Sequence, residues 1–168
     1  LVRQQLENAF NALRNNDDDL ANSVASREKR VNAFELKIDS DIEDFIALYN
    51  PVAVDLRFAL AMLKINNNLE RIGDYADSIA RFVARNNPTE EDKQLFNVLE
   101  LKEMYDQVLH MFSTTHKALE NSDASLAKSV IDKDDLLDSL NQKALDKLAE
   151  YAKNNPSAIR FCLEIAAI

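Results

Sequence analysis

The chain has 168 residues, with one Gly, three Pro, one Cys and no Trp. Average usage would place about a dozen glycines in a chain of this length, and sheet folds need residues that tolerate positive φ at their tight turns. The composition therefore excludes an all-β or doubly wound fold and points to an all-α protein. Twenty Lys plus Arg against 29 Asp plus Glu give a net charge of −9, a field that repels phosphate backbones and argues against nucleic acid as a partner. Cations or basic protein patches suit such a surface better. Uncharged runs fall far short of the ~20 residues a membrane span needs, so no direct membrane insertion is expected. Cys162 stands alone, which excludes a disulfide framework and a thiolate metal site and fits a reducing cytoplasm.

Helix breakers divide the chain into six predicted helices, at about 1–15, 18–49, 53–86, 90–120, 123–153 and 157–168. Asn15-Asn16-Asp17-Asp18-Asp19 ends the first and supplies N-caps for the second. Asn50-Pro51 and Asn86-Asn87-Pro88-Thr89 mark the next two breaks, because Pro lacks the backbone donor and biases its predecessor away from the α region. Asn121-Ser122-Asp123 and Asn154-Asn155-Pro156 mark the last two. The pattern also repeats. Ala12-Leu13, Asn15 and Asp17 recur as Ala118-Leu119, Asn121 and Asp123, and Leu20-Ala21, Ser23 and Val24 recur as Leu126-Ala127, Ser129 and Val130, all at an offset of 106 residues. After Pro51 and Pro156 the offset shortens, and Arg57-Phe58 matches Arg160-Phe161. The expected architecture is a tandem repeat of two three-helix bundles, residues 1–88 and 89–168. Both termini fall inside amphipathic patterns, so they read as fragment ends, the second repeat being cut in its third helix. No signal peptide is expected.

The second predicted helix carries Leu20, Val24, Val31, Phe34, Ile38, Ile42 and Phe45 as an apolar stripe. Glu28, Asn32, Glu35 and Asp39 form a second line roughly 80° from its centre, flanking the core. The third helix is apolar all round from Leu56 to Ile65. It then splits into an apolar face of Leu69, Ile72, Ala76, Ile79 and Val83 and an opposed face of Asn67, Glu70, Asp74 and Asp77. No Lys or Arg lies within that polar face, and like charges four residues apart destabilise an isolated helix. An antiparallel hairpin turning near Pro51 sets Glu28 level with Asp74 and Asn32 level with Glu70, with Glu35 and Asp39 nearer the turn. Two readings fit this convergence of oxygens: a site for a hard or borderline cation such as Mg, Mn, Fe or Zn, or a solvated acidic face. Gly73 sits mid-helix, where it costs about 1 kcal/mol relative to Ala, and a lone Gly there signals close approach by another helix or a ligand.

Other chemistries find little support. His110 and His116 stand in no Glu-x-x-His arrangement, so a ferritin-like di-iron site lacks its ligands. No Gly-rich loop exists to cradle a nucleotide phosphate. No Ser-His-Asp or Cys-His constellation is readable, and Cys162 reads as a small buried hydrophobe.

The string Leu69-Glu70-Arg71-Ile72-Gly73-Asp74, followed by Ala76, Asp77 and Ile79, resembles the signature of the PhoU family. The likeness extends along the chain through Gln4-Gln5-Leu6, Val31-Asn32 with Glu35, Asp55-Leu56-Arg57, and Asp134 with Asp138. It implies tandem three-helix repeats bearing Glu/Asp-x-x-x-Asp motifs. It also implies a cytoplasmic, non-enzymatic regulator of phosphate uptake and phosphate-starvation signalling, one that restrains the response when phosphate is plentiful. The partners it implies are a phosphate ABC transporter ATPase, a membrane sensor kinase and a second copy of the chain in a homodimer. Bound divalent or trivalent metal (Fe, Zn, Mn or Mg) would fall to Glu28, Asn32, Glu35, Asp39, Glu70 and Asp74, with Asp134 and Asp138 from the second repeat. Asn32 departs from the pattern by being neutral where an acid is possible. The second repeat's other acidic motif would lie just beyond Ile168. Two further readings belong to other classes: a PhoU-like domain of a sodium–phosphate cotransporter, and a carboxylate-bridged metalloenzyme.

Overall fold

The computed structural model describes residues 1–168, all of them in helices or short connections, with no strand. The chain divides into two compact units, Leu1–Asn87 and Pro88–Ile168. The first holds α1 (Val2–Asn15), α2 (Asp18–Tyr49) and α3 (Ala53–Asn86). The second holds α4 (Glu90–Val98), α5 (Leu101–Glu120), α6 (Ala124–Asn154), a single 3₁₀ turn at Pro156–Ala158 and α7 (Ile159–Ala166). No helix is long and apolar enough to cross a membrane.

A chain with one Gly still has to turn, and Asn does that work here. Asn16, Asn50 and Asn87 all end helices in the left-handed region, at φ 54°, 47° and 43°. Asn tolerates this conformation better than other residues with a Cβ. Asp17 and Thr89 then open the following helices, their side-chain oxygens accepting from the backbone N–H of Leu20 and Asp92.

The buried positions of α3 include Ala59, Asn66, Gly73 and Ala80 at steps of seven, with Ala76 between the last two and Val83 beyond them. A heptad seam of such small residues lets α2 approach closely. A Cβ on Gly73 would meet the Cγ1 of Val31 at 3.0 Å, which is the close approach that the lone mid-helix Gly signals. Asp77 is buried too, so one member of the polar line leaves the opposed face that the sequence suggests, while Asn67 and Asp74 stay exposed.

The apolar stripe of α2 is only half used. Val24 and Val31 are buried, whereas Phe34, Ile38 and Phe45 are 46, 40 and 40 % exposed. The reason is length: α1 spans 14 residues against 32 and 34 for its neighbours. It packs where the hairpin is farthest from Pro51, Gln5 donating to the carbonyl of Val24 at 2.9 Å. Beyond that level two helices have no third wall, and Ile38, Ile42, Phe45, Phe58 and Met62 line an open groove of about 310 Å³.

In the second unit the expected helix at 90–120 is broken. Glu100 adopts a left-handed conformation (φ 59°) between α4 and α5. Lys147 of α6 secures the break, its Nζ donating to the carbonyl of Val98 at 2.7 Å and to Glu100 Oε1 at 3.0 Å. The last helix likewise begins at Ile159, after the 3₁₀ turn, two residues later than expected.

Candidate metal centre

The α2–α3 hairpin is antiparallel, with its register about half a turn further along α3 than simple counting from Pro51 suggests. Val31 lies against Gly73. Nearer the turn, Asn66 Nδ2 donates to the Glu35 carbonyl at 2.8 Å and to Asp39 Oδ1 at 2.7 Å. Asn66 is buried, and this pair of bonds both satisfies its amide and fixes the register. Asp39 is thereby engaged in holding the hairpin, with one carboxylate oxygen on α3.

That register brings the acids together in two neighbouring groups. Glu70 and Asp74, one turn apart on α3, lie close to Glu35 of α2, with Glu28 somewhat farther off. Burial pushes the Glu70 carboxyl above its ordinary value of 4.5, and the charges of Asp74, Glu35 and Glu28 and a hydrogen bond with Asp74 push the same way. The second group is Glu28, Asn32, Asp77 and Arg81. Asn32 Nδ2 donates to Glu28 Oε1. Arg81 Nε pairs with Asp77 Oδ2 four residues back, and its proton is held by Asp77 first and by Glu28 as well.

Glu28, Asn32, Glu35, Asp39 and Glu70 are half-buried, and Asp74 is exposed. Asp77 is 8 % exposed. It shares the polar line of Glu70 and Asp74, yet only the half-turn shift in register shows that it enters the interface at the level of Glu28. Asp134 and Asp138 are exposed on α6 of the second unit.

Two buried acceptors here have no donor, Asn32 Oδ1 and Asp77 Oδ1. A buried acceptor left unsatisfied costs about 1–3 kcal/mol, and a cation or an ordered water answers that need. Carboxylates crowding Glu70 ask for positive charge too. Hard oxygen donors of this kind suit Mg²⁺, Mn²⁺ or iron, and Zn²⁺ accepts them as well. The residues therefore fit a metal ion in donor type and charge. No three His, Cys, Asp or Glu side chains converge closely enough to encircle an ion as they stand. Like-charged carboxylates repel, and the glutamates have rotamer freedom to close on a cation, so Glu35, Glu70 and Asp74, with Glu28, Asn32 and Asp77 beside them, are the groups that would hold it.

A pair of compact helical units, each built around one αα corner, with an acid line running along the α2–α3 seam of the first, defines a tandem-bundle protein of the PhoU type. The PhoU domain profile matches residues 1–83 and 101–168. The chain belongs to the PhoU family. It is 33 % identical over 165 residues to the phosphate-specific transport system accessory protein PhoU homolog of Pseudomonas aeruginosa, covering 98 % of this chain and 67 % of the relative. The homolog of Aquifex aeolicus is 30 % identical over 168 residues, covering 100 % of this chain and 75 % of that one. The crystal structure of PhoU from Pseudomonas aeruginosa superposes with a TM-score of 0.88 at 31 % identity, covering 98 % of this chain and 78 % of that structure's.

Proposed function

We propose that this chain is a regulatory accessory protein of phosphate transport, and that it works as a metal-binding docking scaffold with no catalytic step of its own. The relatives that align with 98 and 100 % of this chain are named phosphate-specific transport system accessory protein PhoU homolog. The observation that carries the metal half of the reading is the line of acids from α2 and α3 with two orphaned acceptors beside it. A bound cation supplies positive charge at Glu35, Glu70 and Asp74, which no Lys or Arg pairs. Glu35, Glu70 and Asp74 bind it and hold the two helices at a set spacing. The acid face so neutralised presents a surface to a phosphate transporter's ATPase and to a sensor kinase in the cytoplasm, the protein acting as a homodimer that restrains the starvation response.

The test is the double substitution Glu70→Ala with Asp74→Ala. Protein purified without added metal is assayed for Fe, Zn, Mn and Mg, and the same pair of chains is expressed in a bacterium lacking its own accessory protein and carrying a phosphate-starvation reporter. The wild-type chain is expected to hold metal and to repress the reporter at high phosphate. The double variant should lose both while keeping its helical circular dichroism. Unchanged metal stoichiometry in the variant overturns the site, and failure of the wild-type chain to repress overturns the regulatory role.

A further inference from the structure

One stretch of helix surface is positive in a chain whose net charge is −9. Between Ser26 and Lys37, α2 exposes Arg27, Lys29, Arg30 and Lys37 but no acid, because Glu28 and Glu35 are half-buried on the line toward α3. Lys37 pairs with Asp41, and the Arg30 guanidinium stands 5.6 Å from the centre of the Phe34 ring. Arg27 and Lys29 meet no carboxylate. Two apolar side chains sit among these cations, Phe34 at 46 % and Leu36 at 67 % exposed. Leu36 lies about 140° round the helix from the buried Val31, so its exposure does not come from the missing third wall that opens the groove. Nor does the fold require a basic face here. The offset of 106 residues carries 26–37 onto 132–143, where α6 exposes Asp132, Asp134, Asp135 and Asp138. The face is short as well. Asp19 precedes it on the same side of the helix, and Asp41 and Asp44 follow Lys37 in line, leaving about 18 Å of positive surface.

We propose that this outer face of α2 is a docking surface for an acidic segment of a partner protein. The segment sets carboxylates against Arg27, Lys29 and Arg30 and seats an apolar side chain beside Phe34 and Leu36. This goes beyond the reading above and does not require the acid line to hold metal. Charge complementarity selects the occupant. A guanidinium binds a carboxylate through two parallel N–H bonds, and Arg and aromatic side chains carry much of the binding energy where they stand at the centre of an interface. A flat anionic membrane fits less well, because it would press Asp19, Asp41 and Asp44 against its headgroups together with the cations. A single acidic helix or loop touches the short positive stretch and leaves those acids in water. A second copy of the chain brings another net charge of −9 and is repelled at long range.

The test is site-specific photo-crosslinking of the full chain in the reporter bacterium, with p-benzoyl-phenylalanine in place of Leu36 and, as a control, in place of Gln142 on the matching face of α6. The expected result is a protein adduct from position 36 alone, whose crosslinked peptide, once sequenced, carries an excess of Asp and Glu. Adding Arg27→Glu and Arg30→Glu to the same chain should lower the yield about tenfold. Both substitutions lie on exposed helix surface, so circular dichroism and metal content should not change. An adduct to lipid or to a second copy of the chain overturns the proposal. So does a peptide without excess acid, the same adduct from position 142, or no adduct at all. A yield that survives the charge reversal overturns it too, since the cations then play no part. Each of these outcomes leaves the metal reading where the Glu70 and Asp74 substitutions put it, because neither arginine is among the groups assigned to the ion.

Discussion

The two units begin from one corner and end in different surroundings. At the first corner, Asn16 stands at φ 54°, the Asp17 N–H donates to the Ala12 carbonyl at 3.0 Å, and the Asp17 side chain accepts from Leu20 at 2.8 Å. At the second, Ser122 stands at φ 51°, the Asp123 N–H donates to the Ala118 carbonyl at 2.9 Å, and the Asp123 side chain accepts from Leu126 at 2.9 Å. The same offset of 106 carries Glu28 onto Asp134 and Asn32 onto Asp138. There the likeness ends. Glu28 and Asn32 face a 34-residue helix that bears Glu70, Asp74 and Asp77, and they are half-buried. Asp134 and Asp138 are exposed, and α7, eight residues long, follows the turn at Pro156 and packs near the far end of α6. An acid pair spaced by one helical turn becomes a candidate site only when a second helix brings oxygens to the same level.

That contrast can be broken most forcefully at the helix that makes it. Phe82 is 2 % exposed at the inner end of α3, and Phe82→Ala should cost about 4 kcal/mol in unfolding free energy, loosening the wall that faces Glu28. Phe58, on the same helix but 60 % exposed, should tolerate Ala within about 0.5 kcal/mol. Comparable losses at the two positions, read from denaturant unfolding, would mean that the hairpin is covered evenly along its length. The likeness of the corners is sharpened by Asp17→Ala and Asp123→Ala, each expected to cost about 1 kcal/mol. Unequal losses would show that only one of the two caps bears on stability.

The smallest effect is electrostatic. The folded-state Glu70 carboxyl titrates above its ordinary value of 4.5, so the folded chain holds its proton more tightly than the unfolded one. Stability then declines as pH rises through the window that starts near 4.5 and ends at the folded value, and the penalty is complete above it. Glu70→Gln should accordingly raise the melting temperature at pH 7 and leave it unchanged at pH 4. Asp138→Asn, on the exposed counterpart line, should leave it unchanged at both. A stabilisation by Glu70→Gln that persists at pH 4 would assign the effect to packing and not to charge.

Much of this was legible from residues alone, and the rest was hidden for identifiable reasons. The corner at Asn15–Asp19 and its copy at Asn121–Asp123 could be placed from capping chemistry, because a cap depends on atoms within four residues. The acid line could be placed because steps of three and four stack on one helix face. Asp77 was visible on that line, but its burial depends on a register shifted by half a turn, which Asn66 sets from across the hairpin. Asp39 was legible as a member of the acid line, but not that Asn66 donates to one of its oxygens. The break at Glu100 carries no Gly or Pro, and the side chain that bonds to it, Lys147, lies 47 residues away.

Composition, breakers, heptad spacing and the repeated corner were therefore decided by the sequence itself, since each expresses interactions between near neighbours along one chain. Which apolar residues are covered, which acid is buried beside Arg81, and which of two matching motifs meets opposing oxygens were decided only by the tertiary structure. These depend on the height at which one helix stands against another, and on where a short third helix stops.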